Sequence, residues 1–301
     1  LRGFTKDKLL VEASIIELLE RCGVVWSGRL QYADHHLSHA ASAFYPSPFE
    51  EAAVLCVDGV GEWTSSSLWK GAGYVLESLE EAHFPHSLGL FYAAMTQLAG
   101  FKVNSGEYKL MGLAPYGVPR FREVLGKEVV YVRDDGSIKL NMKYFSFTRE
   151  NQMANPRLLK LLTGSHASPA MSSSSGEPTQ LACDIAASTQ SLCDEAMLKA
   201  ARHAVEITGL RNLSLAGGVA LNCVSVGHLL EKGAVDRVFV QPAASDAGGA
   251  LGCAMALAAS LGELRRDWVK QGKDAMCGGF LGYELGATEV DVVIQKHELN
   301  T

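Results

Sequence analysis

The sequence has no surplus of positive charge, no paired cysteines and no long apolar run, and each absence removes a class of explanation. Lys and Arg number 27 against 33 Asp and Glu, a net charge of −6. A protein whose main task is gripping nucleic-acid phosphates carries the opposite balance. The seven cysteines, Cys22, Cys56, Cys183, Cys193, Cys223, Cys253 and Cys277, form no C-x-x-C pair. Neither a zinc ribbon nor a thioredoxin-type motif is therefore present. Cys56 stands in the run Ala-Ala-Val-Leu-Cys-Val, and the set reads as buried small hydrophobes of a reducing cytoplasm. The longest uncharged stretch, Ala247 to Gly262, has 16 residues and is rich in Gly and Ala. A membrane span needs about 20 strongly apolar residues, and no signal peptide is visible, so a cytoplasmic protein is expected. No internal repeat is found.

What is present is a foldable chain. Hydrophobic residues make up 48% and charged residues 20% of 301 residues, so a large core is available and wholesale disorder is excluded. At about 100–200 residues per domain, the length allows roughly two domains. The chain starts at Leu1 and ends in a polar run, and it reads as a piece of something larger.

Periodicity predicts a helix from Asp7 to Cys22 with Leu9, Ala13, Ile16 and Leu19 on one face and Gly23 as its stop. A His- and Ala-rich run, Tyr32 to Phe44, is ended by Pro46 and Pro48. Ala52 to Val57, Thr64 to Trp69 and Tyr74 to Leu79 read as three strands joined by Gly turns, an antiparallel meander. Ser87 to Leu98 reads as a helix, Gly100 to Gly117 as a Gly-rich segment, and Lys127 to Leu140 as a hairpin turned at Asp134-Asp135-Gly136. Asn151 to Gly176 reads as an irregular, mobile loop. A long helix from Thr179 to Ile207 precedes strand, helix, strand and helix at Asn212–Ala216, Val219–Glu231, Val235–Val240 and Ala247–Leu261, an order that implies a parallel layer covered by helices.

Five features could carry chemistry. In Asp34-His35-His36-Leu37-Ser38-His39, His35 and His39 share one helical face, which is half of a metal site or a structural His pair. A zincin needs Glu directly after the first His, and His36 stands there. Asp58 ends a buried strand before Gly59 and Gly61; it is a metal ligand beside a phosphate-approach loop, or an ordinary Asp-Gly turn. Gly217-Gly218-Val219-Ala220-Leu221-Asn222 follows a strand and opens a helix, the setting for a nucleotide phosphate or simply a tight turn. It lacks both G-x-G-x-x-G and a P-loop Lys. Asp246, also between strand and helix, is an N-cap or a further ligand. Spacing gives Glu107 and Lys109, in Gly106 to Gly117, no role beyond a solvated pair.

Together, His35-His36-Leu37-Ser38-His39-Ala40-Ala41-Ser42-Ala43-Phe44, the Asp58 segment, Phe84-Pro85-His86-Ser87-Leu88-Gly89, Gly106–Gly117, Gly217–Asn222 and Ser245–Gly252 resemble the NodU/CmcH-type O-carbamoyltransferases. The resemblance implies an α/β chain of the actin-like ATPase fold (the sugar kinase, heat-shock ATPase and actin superfamily), with mixed sheets, flanking helices and two lobes. On that basis residues 1–50 are a remnant of the first lobe with the metal-binding helix. Residues 51–262 are the second lobe, with an insertion at about 80–178, and residues 263–301 lead to a YrdC-like domain. The resemblance makes His35, His39, Asp58 and Asp246 ligands of a divalent metal, iron (Fe²⁺), and Gly59, Gly61, Gly217, Gly218 and Asn222 parts of the loops that hold the nucleotide.

The activity it implies is transfer of a carbamoyl group from carbamoyl adenylate to a hydroxyl of a small molecule. The YrdC-like domain would make that adenylate from carbamoyl phosphate and ATP. The family's N-terminal strand pair and the YrdC-like domain have no counterpart here, and Met153 to Gly176 follows the family pattern poorly, so no general base is named. Two His and two Asp leave positions open on an octahedral ion, and mixed N/O ligation suits iron better than Ca²⁺. The rival readings are threonylcarbamoyl transfer to tRNA, which the acidic balance disfavours, and a non-catalytic nucleotide- or metal-binding module.

Overall fold

A computed structural model describes residues 10–26, 28–149, 152–164, 177–283 and 285–297. It divides into two compact units, Leu1–Asp34 and His35–Thr301. Among its described residues the first holds α1 (Val11–Arg21). Gly23, at φ 78°, closes it as expected, and Val24 N–H reaches back to the Leu19 carbonyl. The expected start at Asp7 lies outside the described residues.

The second unit opens with α2 (His35–Phe44) and a meander of β1 (Glu51–Gly61), β2 (Thr64–Ala72) and β3 (Val75–His83). Then come α3 (Leu88–Leu98), α4 (Glu107–Leu113), α5 (Arg122–Glu128), β4 (Val130–Val132), β5 (Ile138–Leu140) and α6 (Pro156–Thr163). The last part holds α7 (Gln180–Thr208), β6 (Asn212–Ala216), α8 (Cys223–Glu231), β7 (Arg237–Val240), α9 (Gly249–Ser260) and α10 (Ala287–Lys296). The main sheet has the order β3-β2-β1-β6-β7; β1 is antiparallel to β2 and parallel to β6, which is parallel to β7. Meander and parallel layer are thus one mixed sheet with β1 at its centre. β4 and β5 form a separate hairpin.

β1 is buried on both faces, so it reads as a continuous apolar run rather than an alternation. Ala53, Leu55 and Val57 join the larger core with α3, α5 and α7, while Ala52, Val54 and Cys56 pack against α2 on the other side.

Several expectations need correction. The segment Asn151 to Gly176 is not wholly irregular. Asn155 accepts a hydrogen bond from Arg157 N, Pro156 takes the first helical position, and Leu158, Leu159 and Leu162 are buried, so a two-turn helix forms and stops at left-handed Gly164. Residues 165–176 lie outside the described ones. Lys127 belongs to α5, and the hairpin is limited to three residues a side. The helix expected from Val219 is broken: a 3-10 turn (Gly218–Leu221) comes first, and Asn222 starts α8 as its N-cap. Glu107 does not pair with Lys109; its carboxylate accepts from Asn104 and Gly106 N–H at 3.0 Å each. Of the cysteines only Cys56, Cys183 and Cys193 are buried, while Cys22, Cys223 and Cys277 are exposed. Burial pushes the Cys56 and Cys193 thiols up to about 12.

Candidate metal centre

The centre is built around α2, a helix of small residues. Ala40, Ala41, Ser42 and Ala43 have no exposed surface, so β1 and α9 can approach the helix closely from either side. Gly252 of α9 sits directly against the Ser38 carbonyl, where any side chain would collide with backbone. The far end of α2 is held by Arg266. The residue is 5% exposed, and its guanidinium donates to the carbonyls of Phe44 (3.2 Å), Tyr45 (3.0 Å), Phe49 (2.6 Å) and Gly73 (2.5 Å), stacked 4.4 Å from the Phe44 ring. Helix ends leave carbonyls without partners, and a cation there is favourable on both counts. Sequence reading missed Arg266, because Arg265-Arg266-Asp267 looks like a solvated charged run.

Asp58 lies in an irregularity of β1, where the pairing with β2 shifts between Val57 and Gly61. Three groups fix it. The Ser87 hydroxyl, which caps α3 by accepting from Leu90 N–H, donates to the Asp58 carbonyl at 2.9 Å. Gly89 leaves room for that carbonyl. Gly218 N–H donates to Asp58 Oδ1 at 2.9 Å. Asp246 is the first residue of the 3-10 turn ahead of α9, whose N-cap is Ser245, so the N-cap role expected of Asp246 falls to its neighbour; the Asp246 side chain is 78% exposed.

From these separate elements four donor atoms converge. His35 Nε2 lies 3.4 Å from Asp58 Oδ2 and 3.5 Å from Asp246 Oδ1; His39 Nε2 lies 3.6 Å from each. One donor from each residue falls within 4.8 Å of all the others, an arrangement of His and acidic side chains that could hold a metal ion. With bonds of about 2.1 Å, neighbouring donors on a bound ion stand about 3.0 Å apart in an octahedron and about 3.4 Å in a tetrahedron. The observed spacing is slightly wider, so the set fits a first-row ion with small adjustments. His39 strengthens the fit: it is 1% exposed, and neither ring nitrogen has a hydrogen-bond partner. A buried imidazole without partners is costly unless something else occupies its lone pair. Burial works against the Asp58 carboxylate, yet the imidazoles of His35 and His39 and the Gly218 N–H outweigh it and hold the carboxyl well below its usual range. His35 is raised, by its hydrogen bond to Asp58 against a smaller burial effect and with the charges of Asp58, Asp246 and Glu62.

His36 faces away from the cluster. Its Nδ1 is 2.7 Å from Ser67 Oγ, which also accepts from Trp69 Nε1 at 2.8 Å. The hydroxyl proton therefore goes to Nδ1, and burial, with His39 beside it, pushes the ring down to about 4.

The five residues expected at nucleotide loops border this centre in different ways. Gly59 and Gly61 end β1, and Gly217 and Gly218 follow β6, so all four lie at the carboxyl ends of parallel strands, where open α/β sheets receive ligands. Gly61 leaves the space that the His35 ring fills. Gly217, at φ 90°, packs against the Val57 carbonyl. Asn222 is buried: its side chain accepts from Ser225 N–H and exchanges hydrogen bonds with Gln190, which also donates to Asp194 at 2.7 Å. Beside that network a cavity of about 550 Å³ opens between α4, α7 and α8, lined by Met111, Gly117, Gln190, Asp194 and His228 among others. A second cavity of about 550 Å³, under β2 and β3, is walled by Leu55, Val57 and Leu68, the sheet face opposite α2. None of the described helices is long and apolar enough to cross a membrane.

Similarity to known proteins follows the same segments. The family model described as "Carbamoyltransferase N-terminus" matches residues 4–255. An uncharacterised Synechocystis protein is 46% identical over 266 residues, covering 88% of this chain and 42% of its own length. Nodulation protein NolNO of Sinorhizobium fredii is 38% identical over 238 residues, covering 78% of this chain and 32% of its own. Nodulation protein NolO of Bradyrhizobium diazoefficiens is 37% identical over 231 residues, with 76% and 39% covered. The chain thus spans less than half the length of each of these relatives. The crystal structure of T. kodakarensis HypF aligns with a TM-score of 0.40 and 17% identity over 86% of this chain and 40% of that one, a likeness too distant to bear on chemistry. With the family match running from residue 4 to residue 255, the chain belongs to the carbamoyltransferase family.

Proposed function

We propose that this chain carries the acceptor-side centre of an O-carbamoyltransferase, with His35, His39, Asp58 and Asp246 holding a divalent cation, Fe²⁺. The single observation that carries this reading is the convergence of four donors from three elements on one point, with the buried His39 nitrogens lacking any other partner. When bound, the cation would supply Lewis-acid stabilisation of charge developing on a carbonyl oxygen.

In the reaction we infer, the acceptor hydroxyl oxygen attacks the carbamoyl carbon of carbamoyl adenylate. The new C–O bond forms as the C–O bond to phosphate breaks, AMP leaves, and the hydroxyl proton passes to solvent or a base. We place the adenylate along the strand ends at Gly59, Gly61, Gly217 and Gly218, with its nucleoside toward the cavity beside Asn222, Gln190 and Asp194. Carbamoyl phosphate and ATP enter through the adenylate-forming YrdC-like domain that the family resemblance implies. The mixed sheet with helices on both faces supports an actin-like core for this arrangement.

The test uses the natural full-length protein with carbamoyl phosphate, ATP, Fe²⁺ and a panel of hydroxylated acceptors, read by mass spectrometry. We expect a carbamoyl ester together with AMP, and loss of the ester in His39→Ala. AMP formation without any carbamoyl ester, or a His39→Ala variant as active as wild type, overturns the reading.

A further inference from the structure

α2 carries two of the four donors, yet the rest of it is mostly alanine and serine. Small residues let a helix come close to a sheet, but they raise no ridges to fix its rotation. Rotation matters at this site. Side chains reach about 5–6 Å from a helix axis, so a turn of about 10° displaces an imidazole nitrogen by about 1 Å. A working site needs its groups placed to within about 0.5 Å. Arg266 holds the carboxyl end of α2 through backbone carbonyls. The half that bears His35 and His39 needs an anchor of its own.

His36 supplies one. It is buried, and it stands about 100° round the helix from His35, toward β2. Its Nδ1 meets Ser67 Oγ at 2.7 Å, and Trp69 Nε1 donates to the same oxygen at 2.8 Å. Ser67 and Trp69 are two residues apart on β2, so they share the sheet face turned toward α2, while Leu68 between them joins the core on the other face. Both are buried. The indole N–H fills one acceptor site of the hydroxyl, and the hydroxyl proton goes to His36, so the chain runs in one direction from Trp69 through Ser67 to His36. The other His36 nitrogen is buried without a hydrogen bond, and the Thr64 backbone attracts it more weakly. A leucine would fill this place without burying polar atoms, so packing does not account for a histidine here. The position of the anchor is informative. Ser66, next to Ser67, pairs with Val57, the last regular pair before the irregularity that carries Asp58. The His36 ring also stands against both ligand rings, 5.8 Å from His35 and 5.9 Å from His39 between centroids, edge-on to the latter.

We propose that His36, Ser67 and Trp69 are positioning residues of the metal centre. Their hydrogen-bonded chain fixes the rotation of α2 on β2, and so sets where His35 and His39 present their nitrogens to Asp58 and Asp246. None of the three binds the ion. The proposal rests on the metal-centre reading above.

The test uses the natural full-length protein. Fe²⁺ affinity is measured by competition with a chelator, and the visible absorption of the Co²⁺-substituted form reports ligand geometry. Wild type is compared with His36→Leu, Ser67→Ala, the double variant, and His36→Asn, whose amide oxygen can accept from Ser67 in place of Nδ1. Melting without metal is recorded for each. We expect at least about tenfold weaker Fe²⁺ binding and a shifted Co²⁺ band in both His36→Leu and Ser67→Ala. The double variant should lose no more than the weaker single one, because both act through one bond. His36→Asn should keep the wild-type affinity and band. His36→Leu should melt without metal no lower than wild type, so its lost affinity is not a weakened fold; a merely structural histidine would lower the melt and leave the band unmoved. Wild-type affinity and spectrum in either single variant overturn the proposal, as does a double variant whose loss is the product of the two single losses. If wild type binds neither ion, the metal reading fails and the positioning role falls with it. If wild type binds both and the single variants match it, the positioning role fails alone.

Discussion

Replacing Asp246 by Asn separates a metal ligand from an ordinary helix-start residue. As an N-cap Asn is as good as Asp, and the N-cap of that turn is in any case Ser245 rather than Asp246. It is 78% exposed, so without metal the substitution should change stability by no more than about 0.5 kcal/mol. With metal the outcome is different. A cation at 100 times its Kd stabilises the folded chain by about 2.7 kcal/mol. At roughly 2–4 °C per kcal/mol for a chain of this order, wild type should melt about 5–11 °C higher with metal than without. Disturbing groups that merely orient metal ligands costs 10–100-fold in affinity, so removing a charged ligand should cost at least about 100-fold. The same metal concentration then equals the variant's Kd and leaves only about 0.4 kcal/mol, a shift of about 1–2 °C. The assay is a thermal melt of both proteins with and without added Fe²⁺, alongside elemental analysis of bound iron. Wild-type iron content in Asp246→Asn, with the full metal-dependent rise in melting temperature, would refute the shared site.

Gly61→Ala puts a methyl group where the His35 ring lies, so metal affinity should fall by about 10-fold or more while the sheet persists; elemental analysis and circular dichroism check the two halves. Arg266→Met removes four hydrogen bonds and leaves carbonyls at the end of α2 unsatisfied, which should cost about 3–5 kcal/mol in denaturant unfolding; a loss below 1 kcal/mol would mean that water replaces the guanidinium. His86 is lowered by burial and by Lys139 and Arg133, and its Nδ1 accepts from Leu140 N–H at 3.2 Å, so the folded chain holds it neutral. The unfolded chain takes up the proton first, so stability should be complete above about pH 6.5 and decline as pH falls from there through the lowered folded value. His86→Asn should flatten that part of the stability–pH curve, and an unchanged slope would show that other groups set it.

Much of this was legible in the sequence because local rules and tertiary packing agree there. β6 and the long helix α7 appear at or near their expected limits, since buried apolar runs and Thr or Gly punctuation survive any context, whereas β1 runs past its expected end at Val57, through the expected Asp-Gly turn, to Gly61. The cluster was legible only in part. His35 and His39 share a face by helical spacing alone, but nothing in one dimension brings Asp246, some two hundred residues away, to within 3.6 Å of them. Resemblance supplied that link; packing shows how the fold makes it, with Gly252 letting α9 lie against α2 so that the turn ahead of α9 meets the start of α2. The glycines at the strand ends also have local structural roles beside the cluster. Gly61 makes room for an imidazole and Gly218 N–H holds a carboxylate, contacts that a Gly pair after a strand does not announce in the sequence. The broken helix at Asn222 was missed because Val219-Ala220-Leu221 has helical composition, while Asn222 competes as a cap and is tied to Gln190 across the core. Arg266 was missed for the reverse reason: a residue type that is nearly always solvated here reaches four carbonyls from three segments. Each of these misses concerns a polar group used inside the fold around α2 or Asn222, and polar groups committed to distant backbone leave no periodic trace in the chain that carries them.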